Sequence, residues 1–406
     1  IYGFAAKTGL WFHGIFILEC VLMAVSLWLL STSFQLLSNN RLKINITLLI
    51  YVIGFVFMPY FDRGGGVEEI ATVAIVYLLY LVTRFVKKYE IYAHQLIIAA
   101  VLFTIIFWIK YTMILSYLVL LIAYIAYLYL NRSFHKILII ILINILAFGF
   151  ISAVIIIYFY LNGAISQLFD VYFIDNITKY SGNNLGGANH PIITWLIYFR
   201  SVLIIFLPIM MISIVKPHNK FIKNNLIIVL LIIISLNFVF SNNYRYYSLI
   251  VYPIVIYLLF ISNLSSSILT LTTIALSIYV IANNLSLYQT VLSKHQSPGQ
   301  VVMKTTHGSK SVVQIGVLDS GIYNLSHNVP PTKYFQLNNI NPAAMPMLIN
   351  EPANIISSRH IKYVLTTQQH YNLKQNSLFK NYTVVKSFHP YSNNTTLYYI
   401  LKLKGN

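Results

Sequence analysis

Nine consecutive positions, Phe61 to Glu69, hold Asp62, Arg63, Gly64, Gly65, Gly66, Val67, Glu68 and Glu69 between two long apolar segments. The whole chain of 406 residues has nine Asp and Glu, so this one stretch carries a third of its carboxylates. Carboxylates held at a membrane surface can take a proton, orient sugar hydroxyls or bind a metal. Glycines let the backbone turn sharply and approach a ligand closely. A solvated turn between two helices would use the same residues. Further on, Lys110 closes an apolar run between Ile109 and Tyr111. A cation there can meet a phosphate as a point charge or simply snorkel to the interface. Arg245 stands between Tyr244 and Tyr246 at the start of another apolar run. It could contact a phosphate or a sugar, although an interfacial aromatic belt alone accounts for the tyrosines.

Other groups carry weaker signals. His13 and Glu19 lie six positions apart in the first apolar segment, on different faces of a helix. Ionisable residues inside a membrane are functional candidates, and pairing with neighbouring helices is an equal explanation. His190 sits beside Pro191 in a long polar loop that also contains Asp170, Asp175, Lys179 and Tyr180. No Cys/His cluster points to zinc and no phosphate-binding glycine loop points to ATP. Cys20 is the one cysteine and forms no intrachain disulfide.

These residues must be positioned by membrane helices. The chain is 58% hydrophobic and only 9% charged, against about 25% charged in soluble domains. Its mean hydropathy is +0.72. The net charge of +18 is partly a matter of Lys-rich codon usage, alongside frequent Ile, Asn and Tyr, and does not indicate nucleic acid. A span needs about 20 mainly apolar residues. On that criterion about ten spans are predicted, at 11–32, 45–60, 69–83, 92–109, 112–130, 136–161, 192–215, 226–240, 246–261 and 268–284.

Basic residues cluster on every second connection: Arg41 and Lys43, then Arg84, Lys87 and Lys88, then Arg132 and Lys136, then Lys216, Lys220 and Lys223. The positive-inside rule places these loops in the cytoplasm. The carboxylate stretch, the 162–191 loop and Arg245 then face outward, as do both chain ends. Within that loop, 165–177 alternates apolar and polar groups loosely and is compatible with lying along the interface.

After about residue 285 the composition turns polar. Residues 312–318 read as a buried strand ending at Asp319, Ser320 and Gly321, and 361–366 as a second. Residues 382–388 and 396–403 read as a closing antiparallel pair, with a helix within 341–355. The fold expected is a polytopic α-helical membrane protein, residues 1–285, with a small C-terminal extracytoplasmic α/β domain, residues 286–406.

The glycines with Glu68 and Glu69 opening a span, the basic turn, and the returning span that ends Trp108-Ile109-Lys110-Tyr111-Thr112 together resemble the GT-C superfamily of membrane glycosyltransferases. The bacterial relatives of protein O-mannosyltransferases and lipid A aminoarabinose transferases are the nearest in pattern. Val317 to Tyr323, Pro330 to Phe335 and Lys362 to Val364 resemble that family's extracytoplasmic domain. The resemblance implies an inverting transferase in a bacterial plasma membrane. Its partners would be a polyprenyl-phosphate sugar donor, an extracytoplasmic acceptor (a cell-wall polymer such as teichoic acid, a lipid or a protein) and the bilayer. A divalent cation is compatible with it. A lipid-linked sugar flippase or transporter is the alternative.

By the same resemblance Glu69 matches the family's second acidic position and Glu68 shares its argument, as the catalytic pair. Lys110, Arg245, Tyr244, Tyr246, Asp62 and Arg63 would bind substrate. The family's main catalytic aspartate precedes this region, whereas no Asp precedes Asp62 and the chain opens at Ile1 rather than Met. The expectation is therefore that an N-terminal part is missing and that this polypeptide alone does not turn over.

Overall fold

The computed structural model describes residues 11–57, 67–111, 114–174, 248–261, 264–292, 298–317, 320–326, 329–332, 345–374, 377–389 and 396–405. Two units emerge: residues 1–165 with 188–284, and residues 166–187 with 285–406.

In the first unit, uninterrupted apolar sequence makes helices: α1 Trp11–Leu37, α2 Arg41–Phe57, α3 Val67–Val86, α4 Ala93–Ile109, α5 Ile114–Leu130, α6 Phe134–Leu161, α8 Ser248–Ile261 and α9 Ser266–Leu292. (α7, Ile165–Phe169, lies at the boundary with the second unit.) Among the described residues three stretches, Phe16–Leu37, Glu68–Val86 and Phe134–Leu161, are long and apolar enough to cross a membrane. The 17 residues of α4 and α5 each rise about 26 Å, short of a hydrocarbon core of about 30 Å. These helices are accordingly apolar yet shorter than a full span. The predicted spans at 192–215 and 226–240 lie outside the described residues. α6 is apolar all round and turns most of its side chains outward, Leu146, Phe150 and Val154 among them, as a helix in lipid does.

α3 is the centre of this unit. It is mostly buried and packs against α1, α4, α5 and α8. Thr83 Oγ1 and Tyr257 Oη share a hydrogen bond of 2.7 Å between α3 and α8. Tyr252 Oη donates to the Ile50 carbonyl of α2 at 2.6 Å, and the Phe34 and Phe260 rings of α1 and α8 stack 4.0 Å apart. Gly54 makes the α2–α8 approach feasible, because a Cβ there would collide with the Tyr252 ring and hydroxyl.

The second unit holds a four-stranded sheet, β1 Val312–Ile315, β2 Tyr363–Thr367, β3 Tyr382–Phe388 and β4 Tyr398–Leu403, in the order β1-β2-β4-β3. β1 and β2 run parallel; β4 is antiparallel to both β2 and β3. Residues alternate between two apolar layers. Val312, Leu365 and Ile400 face one with Val302 and Ile322, from α10 Pro298–Thr305 and α11 Ile322–Leu325. Val313, Val364 and Leu401 face the other with Ile356 of α12 Met347–Ser357 and with Phe379. The short α13, Gln368–Lys374, follows β2. β3 is an edge strand broken by a bulge at Val384/Lys386, which with its lysine discourages further pairing. The segment after α7 continues as a wider helical turn to Ile174.

Candidate active site

Two helices of matched length bring the site together. From Glu68, α3 runs about 27 Å to its end, and from Ala93 to Lys110 the return path is about 26 Å, so both residues finish at one level. The turn between them is tightly specified. Lys88 takes the left-handed backbone at φ 58°, the Tyr89 amide bonds the Arg84 carbonyl at 2.9 Å, and Gln95 closes a capping box with Tyr92. Arg84 fastens the far end by donating to the Glu90 carbonyl at 2.8 Å and lying over the Tyr80, Tyr89 and Tyr92 rings. Midway, Tyr77 Oη donates to the Gln95 carbonyl at 3.1 Å.

At the near end, Lys110 Nζ donates to Glu68 Oε1 at 2.7 Å. The Glu68 side chain is 7% exposed and that of Lys110 21%. A carboxylate in the first turn of a helix and a cation at a helix C-cap are each favoured by the helix dipole. Yet a largely buried ion pair costs desolvation that Coulomb attraction only partly offsets, so dipoles alone do not account for it. Glu69, the next residue, is also buried. The end of α4 is anchored by Trp108 Nε1, which donates to Ser152 Oγ of α6 at 2.8 Å. Below the ion pair, Ala74, Leu78, Ala99, Phe103, Ile106 and Tyr117 of α3, α4 and α5 line a small apolar cavity of about 10 Å³.

Of the residues singled out by sequence, the structure brings Glu68 and Lys110 into contact, with Glu69 beside them. Asp62, Arg63, Tyr244, Arg245, Tyr246 and His190 lie outside the described residues. Glu19 is half-buried on α1. Among the described residues no three His, Cys, Asp or Glu side chains gather as a metal site. Sequence reasoning passed over Ser152 and Asn144. Asn144 accepts a 2.6 Å bond from Tyr117 Oη, so both residues tie α6 to its neighbours. A solitary polar residue inside an apolar run is the signal that finds them.

No protein-family model matches the chain, and no curated protein matches it in sequence. Among solved structures it is similar to the crystal structure of ArnT from Cupriavidus metallidurans bound to undecaprenyl phosphate. The TM-score is 0.54 and the identity 9%, over 98% of this chain and 85% of that one. At that identity the likeness is one of fold alone.

Proposed function

We propose that the protein is an integral membrane glycosyltransferase that moves a sugar from a polyprenyl-phosphate donor to a hydroxyl acceptor outside the cell. The observation that carries this is the Glu68–Lys110 ion pair, its carboxylate buried, at the mouth of two apolar helices. A lipid phosphate needs both features: a cation for its head and apolar surface for its chain. The likeness in fold to a protein bound to undecaprenyl phosphate supports the same class of donor.

In the proposed reaction the acceptor oxygen attacks the anomeric carbon and the bond from that carbon to the phosphate oxygen breaks. The electron pair leaves on the lipid phosphate, and the acceptor proton passes to a carboxylate, for which Glu69 is the candidate. Lys110 offsets the charge that develops on the phosphate, and Glu68 holds the ammonium in place before donor arrives. Arg245, Tyr244 and Tyr246, with Asp62 and Arg63, are proposed to complete the donor and acceptor contacts. About ten spans, from the lengths of the apolar runs, and an outward C-terminal unit, from the charge of the loops, belong to the same reading.

The test is binding of undecaprenyl phosphate to the chain in phosphatidylcholine nanodiscs, read by native mass spectrometry. Wild type is expected to retain one lipid, Lys110→Ala to lose it by about tenfold or more, and uncharged polyprenol to compete poorly. Equal retention of polyprenol and polyprenyl phosphate would sink the proposal.

A further inference from the structure

α6 is longer than a span needs. Its 28 residues rise about 42 Å against a hydrocarbon core of about 30 Å, so it reaches the headgroups on both sides. The last turn exposes Tyr158 and Tyr160, ring types that favour that depth. A tight cap then ends the helix. Gly163 takes the left-handed backbone at φ 64°, its amide bonds the Tyr160 carbonyl at 3.0 Å, and the Ala164 amide bonds the Phe159 carbonyl at 2.9 Å. α7 starts at the next residue, so Ile165 is at most about 14 Å from Leu161.

The chain from Ile165 to Ile174 is two-sided. At about 100° per residue, Ile165, Leu168 and Phe169 fall within an arc of about 100°, and Ser166 and Gln167 fall outside it. The Phe169 and Phe173 rings stack 5.8 Å apart and Tyr172 meets Phe173 edge-on at 4.9 Å, which carries the apolar side into the wider turn that follows. Large apolar groups nevertheless stay uncovered: Phe169 is 43% exposed, Val171 44% and Ile174 52%. No Lys or Arg occurs from 162 to 174, and Asp170 is exposed. Ten helical residues rise about 15 Å, half of what a span needs.

We infer that residues 165–174 lie flat in the outer headgroup boundary, with Phe169 and Phe173 among the acyl chains, and fasten the start of the 162–191 loop to the bilayer. Continuity with α6 identifies the occupant of the apolar side. A segment that begins where a lipid-facing helix ends, and is too short to cross, meets lipid along its flank. With no cation in the segment, its partner is the acyl region of the bilayer rather than an anionic headgroup. That the leaflet is the outer one rests on the proposed function; the docking itself does not.

Spin labelling tests this directly, because Cys20 is the one cysteine. In a Cys20→Ser background, Phe169→Cys, Phe173→Cys and Gln167→Cys are labelled one at a time in the full chain in phosphatidylcholine nanodiscs. Oxygen and nickel-chelate accessibilities then give each label's depth. Labels at 169 and 173 are expected about 5–10 Å below the phosphates. The label at 167, about 200° round the helix from Phe169, is expected in water. Replacing part of the phosphatidylcholine by phosphatidylglycerol should leave all three depths unchanged. Phe169→Trp keeps a ring and serves if the cysteine variants do not fold. Its added fluorescence over wild type is expected to be quenched more by lipids brominated near the headgroup than by those brominated near the chain end. All labels in water, all labels at one depth, depth gained only with anionic lipid, or a tryptophan that no brominated lipid quenches overturns the inference. Neither donor nor turnover is involved, so such a failure leaves the transferase proposal standing.

Discussion

Glu68 and Lys110 are 42 positions apart in sequence and 2.7 Å apart in the fold. Removing one partner strands the other charge. Lys110→Met is expected to destabilise the chain by about 3 kcal/mol. The double variant Glu68→Gln/Lys110→Met should recover most of that, a coupling readable from a thermal-unfolding cycle. Additive losses would show that the pair contributes nothing beyond its two residues. His370 offers a separate test in the other unit. Its ring lies against Phe379 and under Gly316, its Nε2 is buried without a partner, and burial holds its pKa below the ordinary 6.5, with Lys374 adding to the effect. The unfolded chain therefore binds a proton more readily, and stability present above pH 6.5 falls as pH drops below it. His370→Leu should flatten the pH dependence of the thermal midpoint in that range; an unchanged slope would show that His370 is not its source. At this scale the candidates were legible, because acids and a lysine at the ends of apolar runs are conspicuous. Which acid meets Lys110 was not. The sequence paired Lys110 with neither acid, and it is the register of two packed helices that presents Glu68 to it.

The elements of the site are two helices of equal reach joined by a fixed turn. One alanine inserted after Ala100 would turn Lys110 about 100° about the α4 axis. Loss of both the ion pair and lipid retention is the expected result, with the helix content by circular dichroism unchanged. Retained lipid binding would show that the helix register does not set the site. Packing between α2 and α8 is tested by Gly54→Ala, which drives a methyl into Tyr252. A loss of about 1–3 kcal/mol is expected from thermal unfolding; no loss would mean that the two helices separate freely. Helix existence was readable from unbroken apolar runs such as 134–161, and strand positions from short β-branched runs such as Val312-Val313. Helix ends were not. α1 continues past the predicted limit to Leu37 and α9 to Leu292, because Gln35, Asn283 and Asn284 are polar without breaking a helix. The bulge in β3 was equally hidden, since nothing in Val384-Val385-Lys386 marks an extra residue.

On the scale of the molecule, helices that turn apolar side chains outward and a fold similar to that of a protein bound to undecaprenyl phosphate support the proposed transfer from a lipid-phosphate donor. The alternating basic loops argue for that side, because nucleotide sugars are absent there and a lipid must carry the sugar. The most direct measurement places the protein in vesicles supplied with radiolabelled polyprenyl-phosphate sugar on the face bearing Glu68, and follows where the label goes. The expected result is label in a covalent product, reduced about a hundredfold in Lys110→Ala. Label that crosses the bilayer still attached to its lipid, with no covalent product, would contradict the account and identify a flippase instead.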